Sequence, residues 1–391
     1  MIKKVLFFWA ILFVLVIFFN EHSGKKMITV KGIENFMSEA MGKSGHYLLF
    51  YPADQRVSQE MTLIKEVTKT GKDIQQYKII DNDFRRMNIQ QKPTDFNQLF
   101  ISFYGEPVVD NFYYTYDIEN KQFKKSNLDY FDYEVGVDHM QHFGDDVLFQ
   151  TIVSHKTGEQ NTNFDTGEFN ISISNATTQE SFETEYGHVP KWTPILSFAG
   201  KMIYGVSGRI NAKDQYENSG IAIIDLTNET VEYESFATDS IDLAPIYASN
   251  EHAYIMGSNG NLYVYDKEFH YTSYSPFENL FKQAEYEVNE AEQLALDDKR
   301  ILYCLPIDEE GDTLGILSLR KEPMFEPLAE ISQPGNTYRL LYQDKGNKEI
   351  YIIERNDKEE NMIVLDRKNL HIKSKFPVEN AHLLDFIIKI N

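Results

Sequence analysis

The chain has 391 residues, 14% of them aromatic, a single cysteine and a formal net charge of −22. So acidic a balance excludes nucleic acid as a partner, because phosphates need a basic surface, and it disfavours docking of the body onto anionic lipid. The lone Cys304 excludes an internal disulfide and reads as a small buried hydrophobe, so a body outside the cytoplasm would be held together by its core alone.

Met1–Lys4 carries two lysines, and Val5–Phe19 is an unbroken apolar run. As a helix that run covers roughly 22 Å at about 1.5 Å per residue, against a hydrocarbon core of about 30 Å. Asn20–Lys26 offers neither a small-x-small cleavage site nor a lipid-accepting cysteine. Residues 1–26 are therefore expected to be an uncleaved signal anchor with a short tether, a cleaved signal peptide being the alternative. The body lies outside the cytoplasm in either case. Over residues 27–45, Ile33, Phe36, Met37, Ala40 and Met41 recur at helical spacing before Gly42, which predicts an amphipathic helix.

From residue 46 onward a pattern repeats. Apolar runs begin at His46, Gln98, Val147, Met202, Ala253, Ile301 and Glu349, a period near 50. A hairpin follows most of them, clearest at Ile221–Ser235: a continuous apolar strand, an Asp, a polar turn, then an alternating strand. Continuous apolar residues suit a strand covered on both faces, and alternation suits one with a wet face. Asp117, Asp225, Asp266 and Asp366 share one place in this pattern, at a strand end where a carboxylate accepts backbone N–H groups across the turn. Several short strands per 50-residue period describe a propeller blade. The expectation is an all-β, seven-bladed propeller over 46–391 with four strands in every blade. Leu383–Ile390 is surplus at the end and should lie beside Tyr47–Tyr51, closing the ring and covering an innermost edge.

A second amphipathic stretch, Glu278–Glu292, interrupts the repeat and predicts a surface helix on which a partner would dock. Propeller ligands collect at the channel mouth. The loops leading into the innermost strands supply Asp83, Arg85, His139, Lys191, Trp192, Asp242, Glu292, Arg339 and His382 as candidates for a polar ligand funnel. His139 and His142 would share a metal only on a helix. Asp308–Asp312 places its glycine too early for an EF-hand, and Gly205–Gly208 does not enter a helix as a nucleophile elbow must.

The hairpin at Ile221–Thr230 and the Gly-His-Val-Pro at Gly187–Pro190 resemble the YVTN-type or quinoprotein-like seven-bladed propellers of the bacterial cell exterior. The resemblance implies a fold and an extracytoplasmic setting, and no particular activity. The expected function is a membrane-anchored binding or assembly module for a peptide, glycan or membrane-protein partner, with no cofactor. The alternative is a propeller hydrolase or lactonase using a divalent ion, for which Asp83, His139, Asp242, Glu292 and His382 are the first residues to consider.

Overall fold

The computed structural model describes residues 36–39, 45–53, 61–80, 86–92, 94–104, 112–120, 122–127, 137–143, 146–152, 169–175, 180–186, 195–206, 220–235, 243–278, 293–307 and 311–390. The apolar run Val5–Phe19 and the stretch 279–292 lie outside these residues. Among the described residues no helix is long and apolar enough to cross a membrane.

The strands form seven antiparallel sheets, six of four strands and one of five. The six four-stranded sheets are propeller blades, each running in chain order from one edge to the other; we number them blade 1 (86–127), blade 2 (137–186), blade 3 (196–235), blade 4 (243–274), blade 5 (293–327) and blade 6 (337–377). The expected seven four-stranded blades are thereby corrected to six, because the first apolar runs, from His46, join residues from both ends of the chain in a five-stranded sheet instead. The remaining sheet, the closing sheet, has five strands and draws on both ends of the chain. Tyr47–Tyr51, Met61–Val67 and Asp73–Ile80 form its middle, Phe386–Lys389 its inner edge and Phe36–Glu39 its outer edge.

That outer strand overturns the helix expected over 27–45. Phe36–Glu39 pairs with Gln76–Ile79 in extended register. Helical spacing of apolar residues was the signal, but the open edge of Asp73–Ile80 offers backbone hydrogen bonds that outweigh a weak local propensity. No α-helix occurs among the described residues, where the one helical element is the 3-10 turn Ala381–Leu383.

The inner edge follows the sequence expectation. Tyr47, Leu48, Leu49 and Phe50 pair with Lys389, Ile388, Ile387 and Phe386. Ile390 donates its N–H to the His46 carbonyl at 2.9 Å, and Asp385 donates to Phe50 at 3.0 Å, so the ladder is satisfied at both ends. The closing strand alternates its contacts. Phe386 and Ile388 pack with Leu99, Ile101 and Tyr116 of blade 1, while Ile387 packs with Tyr351, Ile353 and Met362 of blade 6. Burying each such aliphatic side chain contributes about 1.5–3 kcal/mol. Further apolar clusters join blade 3 to blade 4, blade 4 to blade 5 and blade 5 to blade 6. Cys304 is buried in the last of these, its thiol donating to the Tyr338 carbonyl at 3.4 Å.

The Asp-ended hairpins behave as their chemistry requires. Asp225 accepts the N–H groups of Thr227 and Asn228 at 3.0 and 3.1 Å and the Asn228 amide at 2.8 Å. Those bonds, led by the Asn228 amide, hold its carboxyl below the usual carboxylate range. Asp117, Asp266 and Asp366 accept turn N–H groups in the same way. These aspartates fix turns.

Candidate functional site

A strand order from inner to outer places the turns on two faces of the ring. One face carries the loops that lead into each innermost strand; the other carries the turns joining first to second and third to fourth strands. Of the funnel candidates, Asp83, Arg85, Lys191, Trp192, Asp242 and Glu292 lie outside the described residues. His139 and His142 fall on the strand Val137–Phe143, which removes the helical spacing a shared metal would need.

Arg339 and His382 are brought to one neighbourhood, and Arg339 has a structural task there. Its guanidinium Nη2 donates to the carbonyl of Ala381 at 3.1 Å and to that of Leu384, and Nη1 lies 3.9 Å from Asp385. The 3-10 turn that delivers the closing strand is thereby fixed to blade 6. His382 is exposed on that turn. Asp312 is likewise structural, accepting the Tyr338 N–H at 2.6 Å, while burial holds its carboxyl above the usual range. Among the described residues no group of His, Cys, Asp and Glu gathers as a metal-binding set.

The opposite face offers a built concavity of about 710 Å³, where the closing strand ends between blades 1 and 6. Three turns and the strand end enclose it: Thr94–Asn97 and Ile118–Glu119 of blade 1, Gly346–Asn347 of blade 6, and Lys389–Ile390. Each wall is fixed from behind. Asn97 accepts the Ile118 N–H at 2.8 Å, tying the two turns of blade 1 together. Asp95 accepts the Asn97 N–H at 3.1 Å. Asp344, fully buried, accepts the Asn347 N–H at 2.9 Å and its amide at 2.8 Å.

The two blades also meet directly. Gln91 of blade 1 donates to the Phe96 carbonyl at 3.0 Å and to Asp344 at 3.4 Å, and it accepts the Tyr342 hydroxyl at 3.1 Å. Phe96 lies over Gly346, where an added Cβ would sit 2.8 Å from the Phe96 Cβ, so a glycine is required for the ring to approach. The Phe96 side chain remains 42% exposed and forms part of the rim. Lys389 reaches back to the buried Glu349 at 3.5 Å; Lys373 and the Tyr351 hydroxyl, the latter at 3.0 Å, engage the same carboxylate. Beside this cluster Tyr47 packs on Tyr351 and Phe376, and burial pushes its phenol up to about 12.

Sequence reasoning looked to the lead-in loops and missed this face. A signal was present. Asp344-Lys-Gly-Asn347 repeats the Asp-x-x-Asn of Asp117–Asn120, Asp225–Asn228 and Asp366–Asn369.

The fold and its blades define the protein as a β-propeller. No protein-family model matches the sequence, and no curated protein matches it. The fold is widespread by contrast: 562 chains of solved structures match, so shape alone cannot select a function. An acylaminoacyl peptidase of Pyrococcus horikoshii superposes with a TM-score of 0.51 at 12% identity, over 92% of this chain and 53% of that one. This chain therefore spans about half the length of that peptidase structure. Dihydro-heme d1 dehydrogenase NirN, in complex with DHE, gives a TM-score of 0.45 at 8% identity, over 90% of this chain and 77% of that one.

Proposed function

We propose that the protein is a membrane-anchored, extracytoplasmic β-propeller that binds a peptide, glycan or membrane-protein partner. The observation that carries this reading is the polar concavity beside the closing strand, whose walls are pre-set by hydrogen bonds rather than waiting for a ligand to order them. Preorganised walls reduce the ordering cost of binding, and a concavity of that size falls within the roughly 300–1,000 Å³ of small-ligand sites. The apolar run Val5–Phe19 supplies the anchor, and the strongly acidic composition keeps the body off anionic lipid headgroups.

A photo-crosslinking amino acid at Glu119, compared with one at Glu268 on an exposed turn of blade 4, tests this in membranes of the source cell. Adducts formed from position 119 and suppressed by N97A support it. Equal yields from both positions, or none from position 119, count against it. Membrane fractionation of the full chain, against a chain lacking residues 1–26, tests the anchor separately.

A further inference from the structure

We infer that the concavity between blades 1 and 6 accepts a saccharide unit of an uncharged glycan. This rests on the binding-module reading and narrows it to one ligand chemistry. The lining offers hydrogen-bond partners of both kinds in close alternation: carboxylates at Asp95 and Glu119, amides at Asn97 and Asn347, a hydroxyl at Thr94 and an ammonium at Lys389. A single ion would engage only part of this set, the carboxylates or the ammonium, and leave the amides and the hydroxyl unused. A sugar ring, with each hydroxyl both donor and acceptor, matches a mixed set.

Two further observations point the same way. Phe96 holds an aromatic ring open at the rim, 42% exposed, supported from beneath by Gly346 and fixed through its carbonyl by Gln91. Aromatic faces carry negative charge density and attract the slightly positive C–H face of a pyranose, while the ring's hydroxyls remain free for the polar wall. Among the described lining residues the cation, Lys389, is already partly neutralised. Lys389 shares Glu349 with Lys373, so it enters the lining as a hydrogen-bond donor more than as a free positive charge that would demand an anion. The turns that present these groups are fixed by their Asp-x-x-Asn and Asp-x-Asn bonds, so the donors and acceptors keep their order in the empty protein.

The test uses the full chain in detergent and titrates chitotriose, cellotriose and maltotriose by calorimetry, with trilysine and triglutamate as the alternative occupants. At least one trisaccharide is expected to bind, with affinity reduced 10-fold or more by F96A and by N97A and unchanged by Glu268→Gln. Because Phe96 and Asn97 are exposed, a retained melting transition in both variants separates lost binding from lost folding. Binding of a charged tripeptide alone, abolished by F96A, would overturn the saccharide assignment and leave the binding-module reading standing. Absence of binding by every probe, or trisaccharide binding indifferent to both substitutions, would overturn the inference; crosslinking from position 119 then decides the broader reading by itself.

Discussion

Blades 1 and 6 flank the same closing sheet, yet they are made of different material. In blade 6, Tyr351, Ile353, Met362 and Val364 face the closing sheet, and Ile350, Ile352, Ile363 and Leu365 face blade 5, all fully or almost fully buried. Blade 1 has one such side in full; on the other, Phe100 and Ser102 are buried and Gln90 donates to the Met140 carbonyl of blade 2. Leu99, Ile101, Tyr116 and Phe123 pack on the closing sheet, but Gln98, Tyr113, Thr115, Asp117, Gln122 and Lys124 line a concavity of about 690 Å³ on its other side. The third strands already differ in this respect: Glu360–Asp366 reads ENMIVLD and is buried over most of its length, whereas Phe112–Asp117 reads FYYTYD and is mostly half-buried. Blade 1 thus has a full apolar cluster on the closing sheet, while Phe100, Ser102 and Met140 are buried where it meets blade 2.

The severest way to break the comparison is to remove that partner. Deleting Leu383–Asn391 strips Phe386, Ile387 and Ile388 from both neighbours and exposes the edge of Tyr47–Tyr51. The expected outcome is loss of the cooperative melting transition and aggregation, read by calorimetry and light scattering; an unchanged melt would refute the closing role. Next in size, Ile352→Ala in blade 6 should cost about 2–5 kcal/mol by urea denaturation. Thr115→Ala on the polar side of blade 1 should stay within about 0.5 kcal/mol. Equal losses would mean that the two blades are packed alike.

Asp344→Ala sharpens the contrast between the seam and the open turns. It leaves Asn347 and Gln91 without their buried acceptor and should cost about 1–3 kcal/mol, whereas D225A on an exposed turn should cost less. The smallest effect concerns His46, at the start of the closing sheet. Burial, then Lys389, Lys69 and Lys373, lower its pKa, with Glu349 opposing and the Tyr47 ring edge-on at 4.5 Å. The unfolded chain therefore binds a proton near pH 6.5 that the folded chain refuses. Stability should fall as pH drops from about 6.5 towards the folded value and then level off. His46→Gln should flatten that slope in pH-dependent urea melts.

The repeat was legible because blade strands obey simple rules: both-sided burial writes continuous apolar runs, and Asp117, Asp225, Asp266 and Asp366 mark hairpin turns by accepting their N–H groups. The pairing of Tyr47–Tyr51 with Phe386–Lys389 was legible for a related reason, since one strand was surplus at the end and one edge vacant at the start. The fifth strand was not. Phe36–Glu39 is too short to show a period of its own, and its pairing with Asp73–Ile80 is decided by an edge far along the chain. The concavity escaped because its walls come from three separate turns and the end of the closing strand, and no local pattern says that Phe96 meets Gly346 or that Gln91 meets Asp344. Arg339 was singled out for its charge at the channel mouth, although its partners are carbonyl groups of the final turn.

The ladder between Tyr47 and Lys389 also sets a timetable. A ribosome adding about 5–20 residues per second needs on the order of tens of seconds between making one partner and the other. Throughout that interval Leu48 and Phe50 present an uncovered apolar strand edge, the kind of surface that aggregates. The nascent chain therefore exposes that edge until Phe386–Lys389 has emerged, the first moment at which the closing sheet can form its inner ladder.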